Sequence, residues 1–340
     1  MPTVVQHDAD LTALNSFGVP ARAAHFARIS DTDELQQALD FAAEQRLPLL
    51  VLGGGSNTLF LGNYHGLVLH VANRGIQWSD DSRRVTVAAG ENWHDFVSLS
   101  IERGFYGLEN LALIPGLVGA APIQNIGAYG RELADVFVEL EAIDLQTGKH
   151  HTLDKAACEF GYRDSLFKSD PETQWLIWSV TLQLQAKDQP DTSYAALQKV
   201  LAEQGDAQVS AKAVFATVCA IRRSKLPDPA ELGNAGSFFK NPLVSADKLA
   251  ALQAEHADVP HFATDSAKLV KLPAAWLIEQ AGWKGKRRGQ AGVHEQHALV
   301  IVNHGHATGE EIFLLAQEIS ASVLNKFGVA LQPEVRLIHG

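Results

Sequence analysis

The sequence predicts an α+β protein, and three observations carry that expectation. Strand-like runs of alternating or apolar residues coexist with amphipathic helical stretches. The irregular, glycine-rich material is concentrated in the first 130 residues. With 340 residues, 46% hydrophobic and 20% charged, the composition is that of a globular protein, in a chain long enough for two or three domains.

Residues 31–46, DTDELQQALDFAAEQR, open on a capping Asp-Thr and space Leu35, Leu39 and Phe41 for a helix face. After Pro48 the run LLVL predicts a short buried strand ending at Gly53. LVLHV (67–71) and VTVAA (85–89) predict further strands, and 92–103 a helix stopped by Gly104. The stretch LALIPGLVGAAPIQNIGAYG (111–130) holds four glycines and two prolines and predicts loop and short turns. Strands are expected over 136–145 and 175–185. A helix over 211–223 must stop before LPDP. Beyond it come helices near 245–255, 274–281 and 309–326, a strand at ALVIVN, and a last strand in VALQPEVRLI.

A net charge of −11 argues against a general nucleic-acid or membrane-surface binder. The start, MPTVVQHDAD, has neither cationic nor apolar signal character, and no apolar run approaches the ~20 residues of a membrane helix. A cytoplasmic location is therefore expected. Cys158 and Cys219 lie far apart, which fits a reducing compartment. Among fourteen histidines, HEQH (294–297), HGH (304–306) and His150–His151 lack metal-site spacing, so no metal is expected.

In LGGGSN the three glycines free the backbone for positive φ and bare its N–H groups. Such a nest suits a pyrophosphate, and a tight turn between a strand and a helix suits it equally. GxGxxG fails at Thr58, and no GxxxxGK[ST] occurs, so neither dinucleotide nor P-loop fingerprint applies. In 114–130 the flat backbone of Gly116, Gly119, Ala120, Ala121, Gly127, Ala128 and Gly130, with the amides of Gln124 and Asn125, suits a planar heterocycle with a polar edge. A structured loop reads the same way.

Taken together, LGGGSN (52–57), IPGLVGAAPIQNIGAYG (114–130), GYRDSLFK (161–168), KLPDP (225–229), GNAGSFFKNP (233–242), AAWLIEQAGWKG (274–285) and PEVR (333–336) resemble the UDP-N-acetylenolpyruvoylglucosamine reductases, in their long form. The resemblance spans nearly the whole chain. It implies a vanillyl-alcohol-oxidase-type FAD-binding domain followed by an α/β substrate-binding domain. The expected division is 1–70 plus 330–340, then 71–205, for two FAD-binding subdomains, and 206–329 for substrate. FAD is the implied cofactor, NADPH the co-substrate, and a UDP-sugar the substrate, in a monomer serving peptidoglycan precursor synthesis.

The resemblance also implies roles. Gly53, Gly54, Gly55, Ser56 and Asn57 would hold the FAD pyrophosphate. Ile114, Pro115, Gly116, Gly119, Ala120, Gln124, Asn125, Gly127, Ala128 and Tyr129 would line its ring system. Arg163, Ser237 and Glu334 match catalytic positions: a guanidinium for a carboxylate, a proton donor, and a hydrogen-bonding acid. Lys225, Asn241 and Gln296 match nucleotide-contacting positions, and Tyr194 a tyrosine that closes over substrate. Each residue alone also reads as ordinary surface or turn chemistry; Glu334 and Arg336, for example, could form an edge ion pair on the last strand. Two other functions share part of the pattern: an FAD-dependent alcohol or sugar oxidase, and a nucleotide-binding protein without turnover.

Overall fold

The structure is a computed structural model that describes residues 5–169, 174–204, 209–264, 266 and 268–340. The chain forms two compact units, one of Met1–Ala9, Ala23–Gly55 and His65–Ser224, the other of Asp10–Arg22, Ser56–Tyr64 and Lys225–Gly340.

The first unit is built on two sheets. One runs in the order Val5–Asp10, Arg22–Ile29, Tyr64–Val71, Leu49–Leu52, with its last two strands parallel and Leu49 opposite Leu67. The helix Thr32–Gln45 covers it. Asp31 caps this helix by accepting from the Glu34 N–H, and Arg46 closes it in the left-handed region. Leu35, Ala38 and Ala42 are buried with Ile29, Leu67 and Leu69; of the face expected from the sequence, Leu35 is at its centre, while Leu39 and Phe41 are only partly buried against the same core.

The second sheet is antiparallel throughout: His150–Asp154, Phe137–Asp144, Trp175–Gln183, Arg84–Ala88, Ile76–Ser79. Its inward residues Val85, Val87, Leu140, Val180 and Leu182 share one core with two helices. Trp93–Glu102 supplies Trp93, Phe96 and Val97, and Ala211–Lys225 supplies Val214 and Val218. The latter helix runs on to Lys225, to the edge of the prolines that stop it.

The second unit centres on an antiparallel sheet ordered Gly233–Ser237, Val300–Asn303, Ala291–Val293, Arg287–Arg288. The helix Gly309–Phe327 is fixed at its start by a Thr308/Glu311 capping box and closed by Gly328 at φ 61°. Gly309 lies so close to the Phe60 carbonyl that no Cβ fits. Arg336–Ile338 pairs in parallel with Thr58–Phe60.

Two expectations change. LGGGSN joins two strands, Leu49–Leu52 and Thr58–Phe60, with no helix after it. The last strand starts only at Arg336. Pro333 has no N–H for a ladder, and the Glu334 N–H goes to the Phe238 carbonyl at 2.8 Å, so Glu334 precedes the strand. The strands Val5–Asp10, Arg22–Ile29 and His150–Asp154 were not expected from the sequence.

Candidate active site

Residues 111–130 contain only 3-10 turns and a two-residue strand, yet this stretch is fixed from behind. The Trp93 indole donates to the Leu111 carbonyl at 2.9 Å. The Trp93 N–H donates to Gly116, Val118 to Glu91, and Gly119 to Ala89. The Leu113 N–H donates to His94 Nδ1 at 3.0 Å, and Arg222 Nε donates to the Leu113 carbonyl at 3.2 Å. A Cβ on Gly119 would meet the Ala89 Cβ at 2.5 Å, so glycine is required there. The result is a wall held from behind, in which residues Ile114–Leu117 stay at least partly exposed.

The two glycine-rich motifs meet at this wall. A Cβ on Gly54 would lie 3.6 Å from Gly116 Cα, and one on Gly53 would lie 3.5 Å from Leu117 Cδ1. Of the three glycines only Gly55 takes a positive φ, 59°. Gly53 and Gly54 matter instead for the side chain they lack.

Asn125 is buried at φ 42°, and its amide is already committed. Its Nδ2 donates to Glu132 Oε2 at 2.8 Å and to the Gly161 carbonyl, and its Oδ1 accepts from the Ala134 N–H. Gln124 accepts from Lys168 Nζ at 3.3 Å. Tyr129 sits at φ 48°, and burial pushes its phenol pKa up.

Arg163 also occupies the left-handed region, φ 54°, in the turn after Gly161. Its Nη2 donates to the Gly127 carbonyl, and its Nη1 lies 3.8 Å from Glu132 Oε1. A Cβ on Gly127 would come within 2.8 Å of Arg163 Nη1, so the glycine makes room for the guanidinium. Tyr194, 41% exposed, stands edge-on to Tyr129 with ring centroids 5.5 Å apart. Asn110 joins their segments, its Nδ2 donating to the carbonyls of Tyr129 and Asp191, while Arg131 Nε pairs with Asp191 at 3.3 Å.

In the second unit, Ser237 ends the strand Gly233–Ser237 opposite Val300, after an irregularity at which Gly236 takes φ 68°. Asn234 fixes that turn, donating to the Pro227 and Leu232 carbonyls and accepting from the Gly236 N–H. Glu334 lies against the next residue, since its N–H bonds the Phe238 carbonyl. Its own carbonyl accepts from Asn57 Nδ2 at 3.2 Å. Ser237, Glu334 and Asn57 thus belong to adjoining segments. Asn241 Oδ1 accepts from the Ala274 N–H at the start of a helix. Lys225 and Gln296 are exposed.

Burial pushes the Cys158 thiol up to about 12 and raises Cys219 as well, which makes both unsuited to nucleophilic work. No group of three or more His, Cys, Asp and Glu able to hold a metal lies among the described residues. None of their helices is long and apolar enough to cross a membrane. Sequence reasoning missed Trp93, His94, Asn110 and Arg222, whose importance comes from partners distant in sequence.

Two family models match: an FAD binding domain over residues 23–154, and the UDP-N-acetylenolpyruvoylglucosamine reductase C-terminal domain over 228–338. The chain is 47% identical over 335 residues to the UDP-N-acetylenolpyruvoylglucosamine reductase of Pseudomonas putida, covering 98% of each. It is 48% identical over 340 residues to the enzyme of that name from Pseudomonas aeruginosa, covering 99% of this chain and all of that one. Among solved structures, the UDP-N-acetylenolpyruvylglucosamine reductase of Thermus caldophilus aligns at a TM-score of 0.67 and 23% identity over 98% of both chains. 6-Hydroxy-D-nicotine oxidase from Arthrobacter nicotinovorans aligns at 0.50 and 14% identity, over 97% of this chain and 87% of its own. These two likenesses establish the fold, including the vanillyl-alcohol-oxidase-type character expected of the FAD-binding part.

Proposed function

The chain belongs to the UDP-N-acetylenolpyruvoylglucosamine reductase family of FAD-containing oxidoreductases, and from that premise we propose that it uses NADPH to reduce UDP-N-acetylglucosamine enolpyruvate to UDP-N-acetylmuramate. The observation that carries this reading is the wall of bare main chain at 111–130, fixed from behind, with the Arg163 guanidinium seated on Gly127.

FAD fits these residues. Gly53 and Gly54 pack on Gly116 and the Leu117 side chain, and a main chain without side chains of its own would let a pyrophosphate approach its amides. Gly53–Asn57 would hold that group. Ile114, Pro115, Gly116, Gly119, Ala120, Gln124, Gly127, Ala128 and Tyr129 would line the ring system. Asn125 contributes main chain, because its amide holds Glu132, Ala134 and Gly161 in place. When bound, FAD supplies two-electron chemistry, accepting hydride from NADPH and passing it to the terminal enolpyruvyl carbon.

The chain's own residues handle charge and proton. Arg163 grips the substrate carboxylate and meets the negative charge that develops there during reduction. Glu334 hydrogen-bonds the same carboxylate. Ser237 gives its hydroxyl proton to the carbon that bears the ether oxygen, which completes the lactyl group. Lys225, Asn241 and Gln296 hold the UDP moiety, and Tyr194 closes over it. We place the protein in the cytoplasm, as a monomer in peptidoglycan precursor synthesis.

An anaerobic colour titration tests the reading. NADPH bleaches the yellow protein, and only the enolpyruvyl sugar nucleotide restores the colour. In Ser237→Ala bleaching keeps nearly its rate, while recolouring slows by at least ~10²-fold, the usual value of a positioned proton donor. An equal fall in both halves removes the role of Ser237. Rapid recolouring by oxygen alone points to an oxidase instead.

A further inference from the structure

Leu113 opens the wall in a conformation its side chain resists. It sits at φ 57°, where a residue with a Cβ is strained and glycine is the ordinary occupant. Such a backbone persists only where its surroundings hold it. Here both polar groups of the residue are held. The N–H donates to His94 Nδ1 at 3.0 Å, and the carbonyl accepts from Arg222 Nε at 3.2 Å. Shortly after it comes Gly116, on which Gly54 packs. The backbone of Leu113 therefore sets where the wall begins.

The two holds differ in kind. A guanidinium keeps its proton at every working pH. An imidazole does not, and only its neutral form accepts at Nδ1. The surroundings of His94 favour that form. It stands in the first turn of the helix Trp93–Glu102, where the helix dipole disfavours positive charge. Its half-buried ring is stacked on Phe215, with centroids 5.3 Å apart and 3° between the planes. Burial lowers its pKa below the ordinary 6.5; Asp95 on its own helix opposes that, and Arg223 and Arg222 from the helix Ala211–Lys225 add to it.

We propose that His94 is a positioning residue: its neutral ring, with the proton on Nε2, holds Leu113 in the left-handed conformation, and a second proton on the ring frees the start of the wall. The protonated ring presents a donor to the Leu113 N–H where it had presented an acceptor, so the hold becomes a repulsion. The grip on FAD then weakens in acid, a consequence that rests on the functional reading above.

The dissociation constant for FAD, followed by flavin fluorescence on release, is measured from pH 8 to pH 5. In wild type it is level above pH 7 and rises about tenfold in acid, beginning below 6.5, as expected from losing one hydrogen bond and leaving its donor unmet. His94→Asn keeps an acceptor, because its Oδ1 takes the place of Nδ1, and has no proton to gain; its constant stays near the neutral wild-type value throughout. His94→Phe keeps a ring on Phe215 and has no acceptor; its constant is about tenfold high already at pH 8 and level from there down. A flat wild-type constant overturns the proposal, and so does a His94→Asn constant that climbs in acid as wild type does. If His94→Phe does not fold, the other two proteins still decide. Protein that cannot be loaded with FAD at pH 8 refutes the functional reading alone. Nitrogen NMR of the unliganded chain then judges the histidine: an Nε2–H tautomer that persists below pH 6.5 upholds its role, and an Nδ1–H tautomer overturns it.

Discussion

At the scale of single residues, the site depends on what glycine leaves out. Gly127 is the sharpest instance. An added Cβ would sit 2.8 Å from Arg163 Nη1, 2.9 Å from Glu132 Cγ and 3.0 Å from the Arg131 carbonyl. The arginine head can swing away, but the Arg131 backbone cannot, since Ala128 pairs with Arg131 in the hairpin. Gly127→Ala therefore dislodges the guanidinium from its seat. Misplacing a charge by about an ångström costs on the order of 10²-fold in the step that needs it. The substrate half of the reaction is expected to slow by that order, with FAD content and reduction by NADPH retained. Stopped-flow absorbance resolves the two halves. An unaltered substrate half would mean that Arg163 does not act from Gly127.

Elements show where sequence patterns suffice and where they stop. The helix Thr32–Gln45 was legible because Leu35 and its neighbours repeat at helical spacing after a capping Asp31. The irregularity of 111–130 was legible from its glycines and prolines. The strand Arg22–Ile29, RAAHFARI, was not, because its alanines alternate no more clearly than they would in a helix. Nor was the stitching of the wall, since Arg222 meets a carbonyl 109 residues upstream. Asn110 belongs to this second kind. It is buried, and one amide nitrogen holds both the Tyr129 turn and the Asp191 segment that leads to Tyr194. Asn110→Ala leaves two carbonyls without that donor, at about 1–3 kcal/mol. Scanning fluorimetry should find Tm lower by a few degrees. The KM for the sugar nucleotide should rise about fivefold as the Tyr194 segment loosens, a binding effect of about 1 kcal/mol. An unchanged KM alongside the lower Tm would leave Asn110 with stability alone.

At the scale of the whole molecule, histidines and net charge pull pH dependence in opposite directions. His25, His70, His94, His294 and His304 all have pKa values lowered below the ordinary 6.5, with burial the first cause in each. His94 must also stay neutral to accept from the Leu113 N–H. The folded state therefore binds these protons less readily than the unfolded chain. As pH falls below about 6.5 the unfolded chain takes them up first, and stability declines with it. Above that pH both states are neutral at these positions, and the term is flat. The carboxylates of Asp10, Asp144 and Asp191, lowered by their hydrogen bonds, add to the same trend only below about pH 4. Against this, a net charge of −11 shrinks on acidification and relieves self-repulsion. Surface repulsion is screened beyond about 8 Å at physiological salt, whereas partly buried histidines are not, so the histidine term wins. Tm should be level from pH 8 to 7 and fall by several degrees toward pH 5.5, more steeply in 0.5 M salt than in low salt. A Tm that climbs over that interval would mean that charge repulsion, not histidine burial, governs the stability of this fold.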